Sequence, residues 1–254
     1  GASPLHVAAY KGFGGIVSTL LRRGANKDAL DHDGETPLLW ASDAGRVFVV
    51  KTLLAAGADA SIRGACCISA LQYAATKGHS NVIKAIARRG ADVNARGDNG
   101  FTALHAAAHS CKAMLALLRH GAKVDVRAND GGIPLHDACW GRRKGVEAAA
   151  DLLLRWGADE TALDNGGYSP AELLSYSPFA QDEIDRTRLL LARAPADRTW
   201  RRRGWLVMMR SRGSEARTAC RDGDRQSGED WSGVVELLLR LAVEGVFRTV
   251  VGFL

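Results

Sequence analysis

An all-α solenoid of stacked helix pairs is the fold class this sequence predicts, and three observations predict it. Gly-Ala pairs recur at Gly24-Ala25, Gly57-Ala58, Gly90-Ala91, Gly121-Ala122 and Gly157-Ala158, with steps of 33, 33, 31 and 36 residues. A second marker keeps phase with the first: Ser3-Pro4-Leu5-His6, Thr36-Pro37-Leu38-Leu39, Ser69-Ala70-Leu71-Gln72, Thr102-Ala103-Leu104-His105, Ile133-Pro134-Leu135-His136 and, weakly, Ser169-Pro170-Ala171-Glu172. Pairs of leucines precede most of the Gly-Ala steps, at Leu20-Leu21, Leu53-Leu54, Leu117-Leu118 and Leu152-Leu153. A fixed period of this length means a repeated supersecondary unit.

Each element follows from local chemistry. Ser or Thr at the start of the second marker accepts hydrogen bonds from the orphan N–H groups of a helix. Pro fits the next position, where its missing N–H has no partner to lose. Leu followed by small residues (Leu5 with Ala8 and Ala9; Leu104 with Ala107 and Ala108) makes a narrow apolar stripe that lets helices approach closely. A second helix carries the leucine pairs and ends at a glycine able to adopt the left-handed conformation. Asp33-Gly34, Asn99-Gly100, Asp130-Gly131 and Asn165-Gly166 then mark tight turns. The unit is helix, turn, helix, protruding hairpin-like loop. One unit cannot bury its own apolar face, so neighbours must supply the interior.

These residues resemble ankyrin repeats over about Ser3 to Ala194, as five recognisable repeats and a degenerate sixth. The fourth is two residues short between its helices (Ala108 to Lys112), and the fifth is about three long there (Gly141 to Gly145). In the third, Cys67 stands where the turn glycine belongs, so that finger's conformation is the uncertain one. The chain enters at the first helix of a repeat, which implies further repeats upstream or an uncapped N-terminal face.

The composition agrees with a folded helical protein: 254 residues, 46% hydrophobic and 24% charged, with 28 glycines and 6 prolines. Five scattered cysteines do not form a disulfide framework, which points to a reducing intracellular compartment, the cytoplasm first. No charge-free run approaches the ~20 apolar residues of a membrane span. The net charge of +6 is local. Nine arginines between Arg198 and Arg225 face three acids, and the rest of the chain is neutral. That balance argues against a nucleic-acid-binding body.

The resemblance implies a non-catalytic module that binds a protein partner through its loop tips and the concave face of its first helices. Candidate contact residues are Tyr10, Trp40, Tyr73 and Trp140 on the concave face, and His32, Asp33, Asp98, Phe101, Asn129 and Tyr168 at the tips. Asp137 also falls on the concave face. Exposed aromatics are typical interface anchors. Asn94, in Asp92-Val93-Asn94-Ala95, resembles the asparagine that some family members have hydroxylated. No cofactor, catalytic constellation or metal site is expected. His105 and His109 have helical i,i+4 spacing, but His105 is a frame residue and zinc needs three or four converging ligands. Cys66-Cys67 on an exposed finger reads as an incidental pair, because the sequence around it carries no thiol-activating motif. Gly12, Gly14 and Gly15 fall at an inter-helix turn, not in a phosphate loop.

Residues 195–230 form a basic segment and linker. Within it Arg201, Arg202 and Arg203 lie between Trp200 and Trp205 and could contact an anionic ligand. Residues 231–254 read as a wide-faced amphipathic helix, with Glu236, Arg240, Glu244 and Arg248 each four apart. The expectation is a scaffold or adaptor. The alternative is a tethering protein whose Arg/Trp segment contacts nucleic acid or an anionic membrane while the repeats hold cargo.

Overall fold

In the computed structural model of the chain, residues 1–140, 145–176 and 180–194 are described. The basic segment and the amphipathic helix expected at 195–254 lie outside them, as does the lengthened turn at 141–144. The helices come in pairs: α1 (Pro4–Lys11) with α2 (Gly14–Arg22), α3 (Pro37–Asp43) with α4 (Val47–Ala55), and α5 (Ala70–Thr76) with α6 (Ser80–Ala87). There follow α7 (Ala103–Ala106) with α8 (Cys111–Arg119), and α9 (Pro134–Trp140) with α10 (Val146–Arg155). The last pair is α11 (Pro170–Leu173), continued by a 3₁₀ turn at Leu174–Tyr176, with α12 (Gln181–Arg193).

First helices pack in the order α1, α3, α5, α7, α9, α11, and second helices in the order α2, α4, α6, α8, α10, α12. That is a two-layer solenoid, and no strand occurs among the described residues. The sixth pair packs through α11 on α9 and α12 on α10.

The expected frame residues make the interior. Leu5, Leu38, Leu71, Leu104 and Leu135 are buried, as are the small residues Ala8, Ala9, Ala41, Ala74, Ala75, Ala107 and Ala138. Leu53, Leu54, Leu117 and Leu118 are buried from the second helices. In α10 the buried pair is Leu153 and Leu154, while Leu152 is only partly covered. The sequence pairing Leu152-Leu153 is therefore off by one. Counting back four residues from Gly157, as from Gly57 and Gly121, gives the observed register. Each buried leucine contributes about 1.5–3 kcal/mol against exposure.

The caps take two forms. Thr36, Ser69 and Ser169 accept from the N–H groups of Leu39, Gln72 and Glu172. At Ser3 and Thr102 the frame histidine takes over: Nδ1 of His6 or His105 accepts the cap residue's backbone N–H at 3.1 Å. The other ring nitrogen of His6 reaches the Glu35 carbonyl at 2.9 Å, and that of His136 reaches the Tyr168 carbonyl at 3.1 Å. Gln72 does the same with its amide, donating to the Phe101 carbonyl at 2.8 Å. The frame polar residue thus couples a helix start to the next finger. His105 departs from this: its Nε2 is buried and has no hydrogen-bond partner of good geometry. Burial drives its pKa down to about 4, against the opposing influence of backbone at Gly132 and Val126.

Candidate functional site

Five fingers close by the same backbone bond, in which a residue's N–H donates to the carbonyl four residues on. The bonds are Asp31 to Glu35, Gly64 to Ile68, Gly97 to Phe101, Ala128 to Gly132 and Asp164 to Tyr168, all 2.8–3.0 Å. At the turn, Gly34, Gly100, Gly131 and Gly167 have φ of +73° to +81°, and Cys67 at the matching place takes φ +52°. The finger in question therefore keeps the family conformation in a backbone region costly for a residue with a Cβ.

Neighbouring fingers are laced together. Backbone N–H groups of Asn129 and Asn165 donate to the carbonyls of Asn99 and Asp130 at 2.9 and 2.8 Å. Their side-chain amides donate to the carbonyls of Asp98 and Asn129 at 2.9 and 3.0 Å. The predicted tip residues Asp98 and Asn129 are exposed, but part of their polar capacity is spent on this lacing. At the base of the fingers, Arg63 donates to the Arg96 carbonyl, Arg96 to the Arg127 carbonyl at 2.7 Å, and Arg127 to the Leu163 carbonyl at 2.6 Å. This arginine ladder was not anticipated. Its sequence signal is an arginine one residue before the start of the second, third and fourth fingers, at 63, 96 and 127.

On the opposite loops, Asn94 is half-buried and spans two repeats. Its Nδ2 donates to the Gly121 carbonyl at 3.1 Å and its Oδ1 accepts from the Lys123 N–H at 2.8 Å. Asp28 and Asp125 make the matching bond to the N–H of Asp59 and Asp159.

The six candidate aromatics divide into two groups. Trp40 is half-buried and sits edge-on to His6 and Tyr10, with ring centroids 5.5 and 5.9 Å apart. Its Nε1 donates to Asp31 Oδ2 at 3.0 Å. Tyr73 is half-buried, and its hydroxyl donates to Glu35 Oε1. Phe101 is half-buried and packs edge-on against His105 at 5.2 Å. These three tie a finger to a helix. Tyr10 shares its ring contact with Trp40 but is exposed. Trp140 is 54% exposed and Tyr168 is 42% exposed, the latter edge-on to Tyr176 at 5.9 Å. Tyr176, 63% exposed, was not among the residues singled out from the sequence.

The charges follow the same division. Between the first helices of the second and third repeats, Asp43 pairs with Lys77 at 3.4 Å. The exposed tip residues His32 and Asp33 pair with each other at 3.1 Å. Among the described residues, one group of three side chains, Asp31, His32 and Asp33, has the spacing of cation ligands. Both Asp31 oxygens are already committed, to the N–H groups of Asp33 and Glu35 and to Trp40. Burial raises the Asp31 pKa, but those hydrogen bonds outweigh it and hold the carboxyl below its ordinary value. Arg201, Arg202 and Arg203 lie outside the described residues.

No helix among the described residues is long and apolar enough to cross a membrane. The chain matches the family model for ankyrin repeats, written as three copies, over residues 1–64 and 71–164, which is more than half of its length. No curated protein matches it.

Proposed function

This chain belongs to the ankyrin-repeat family, and from that premise we propose that it is a scaffold or adaptor that holds a protein partner on its concave face and finger tips. Repeats of this kind are in general protein-interaction modules. The observation that carries the reading is the contrast between Trp40 and Trp140. Trp40 is occupied by its own repeat and its neighbour, while Trp140 shows more than half of its surface and has no hydrogen bond or ring contact among the described residues. Tyr176 and Tyr168 lie exposed on the next repeat. Large aromatics left in water at neighbouring positions favour a surface completed by a partner. The contact surface we propose is therefore centred on the fifth and sixth repeats, with Tyr10 and the tips at His32 and Asp33 as peripheral contacts. A reducing intracellular compartment suits a buried Cys139, whose thiol burial pushes up to about 12, well away from reactivity.

Affinity purification with the full chain and its Trp140→Ala variant tests this. Partners recovered by the parent should be depleted by the variant, and an unchanged set would refute the concave-face reading. A variant replacing Arg201, Arg202 and Arg203 by alanine separates the tethering alternative. If that variant alone loses the captured material, and capture falls steeply with salt, the basic segment does the work.

A further inference from the structure

We propose that the concave face of the fifth and sixth repeats receives a cationic side chain of the partner, arginine foremost, seated against the Asp137 carboxylate with Trp140 and Tyr176 beside it. This rests on the concave-face reading above and specifies the partner's chemistry. Asp137 lies on α9 directly after His136, whose ring binds the Tyr168 carbonyl of the next finger at 3.1 Å. It is half-buried, and among the described residues it has neither a hydrogen bond nor an ion pair. Among the other acids of the first helices, Asp43 has Lys77 at 3.4 Å and Glu172 accepts from Ser169 at 2.7 Å, whereas Asp137 has no such partner among the described residues. Trp140 follows Asp137 by one helical turn, and α9 packs against both α11 and the 3₁₀ turn that carries Tyr176.

A carboxylate partly withdrawn from water without a partner is costly, and the like charge of Asp130 adds to that cost. Burial, and then the like charge of Asp130, push its carboxyl up to about 7. A cation offsets both effects. Arginine suits the place best, because its planar guanidinium can pair with a carboxylate while lying against aromatic faces. An acidic segment would add a third negative charge, and a purely apolar one would bury the carboxylate still unpaired.

The test is a nuclear magnetic resonance titration of the full chain at pH 8. The probe is a glycine-serine peptide carrying two arginines, compared with counterparts carrying citrulline or glutamate. The arginine peptide should shift amides around 136–140 and 174–176, and the citrulline peptide should bind at least about tenfold more weakly. Asp137→Asn, a near-isosteric change, should cost about tenfold in affinity, and Trp140→Ala about threefold. Asp185→Asn, exposed on the second-layer helix α12, should change nothing. Equal binding of the citrulline or glutamate peptide, no loss in Asp137→Asn, or an equal loss in Asp185→Asn each overturns the proposal. Partner capture from lysate keeps the two readings apart. Capture lost in Trp140→Ala but kept in Asp137→Asn leaves the concave face standing and removes the cation site; capture kept in both removes both.

Discussion

Trp40 and Trp140 lie on the first helices of the second and fifth repeats, yet replacing each by alanine should give opposite results. In Trp40→Ala the losses are the edge-on contacts with His6 and Tyr10, the partly buried indole surface and the bond to Asp31. Aromatic pairs contribute about 0.5–1.5 kcal/mol each beyond area, and the bond to Asp31, in a half-open site, about 1 kcal/mol. With the remaining apolar contact, the sum is about 3 kcal/mol, or roughly 6–12 °C in melting temperature for a domain of this size. Trp40→Phe keeps the ring contacts and loses the bond, so it should fall about 1 kcal/mol below the parent. Trp140→Ala should stay within about 0.5 kcal/mol, as an exposed residue. Urea unfolding followed by far-ultraviolet circular dichroism measures all three without relying on tryptophan emission. Equal losses at the two positions, or a larger loss at Trp140, would refute the division between structural and recognition aromatics.

Three further outcomes follow from the geometry. Cys67→Gly should stabilise the protein by about 0.5–1 kcal/mol, because it removes a left-handed strain that the matching fingers avoid with glycine; a lower urea midpoint would contradict this. Gly131→Ala should destabilise by about 2–3 kcal/mol, since its φ is +81° and a Cβ there would sit 2.4 Å from Asn165 Oδ1 and 2.7 Å from the Asn165 backbone nitrogen. A parent-like melting curve would show that the fingers yield freely. His105 has a folded pKa of about 4 against an ordinary 6.5, so the unfolded chain binds the extra proton between those values. Stability should therefore fall as pH drops from 6.5 towards 4, by up to about 3 kcal/mol. His105→Gln, copying Gln72, should flatten that slope, and an unchanged slope would place the titration elsewhere.

What could be read from the sequence was what packing repeats in every unit. Leu5, Leu38, Leu71, Leu104 and Leu135 do one job at one phase, so their spacing gives the helix pairs, the caps and the interior directly. The same logic marks Cys67 as irregular, because glycine stands at the matching turn in the other fingers. The run Leu152-Leu153-Leu154 misled the register because three leucines in a row carry no phase of their own. The candidate contacts were harder. Trp40 and Trp140 sit at different places in their repeats, and whether either is engaged depends on residues outside its own helix. Trp40 is held by Asp31 on its finger and by Tyr10 of the preceding repeat. Asp137 reads as an ordinary polar residue until the described residues are seen to place no cation on it as Lys77 is placed on Asp43. Repeat spacing shows which positions are free to vary, but only three-dimensional neighbours show which of them remain unsatisfied.

Hydrogen exchange on the full chain, with and without its captured partner, bears most directly on where recognition occurs. Slowed exchange should concentrate in α9, α11 and the 174–176 turn, with the second helices α8 and α10 unchanged. Protection confined to those second helices, or to residues 195–254 alone, would contradict the account.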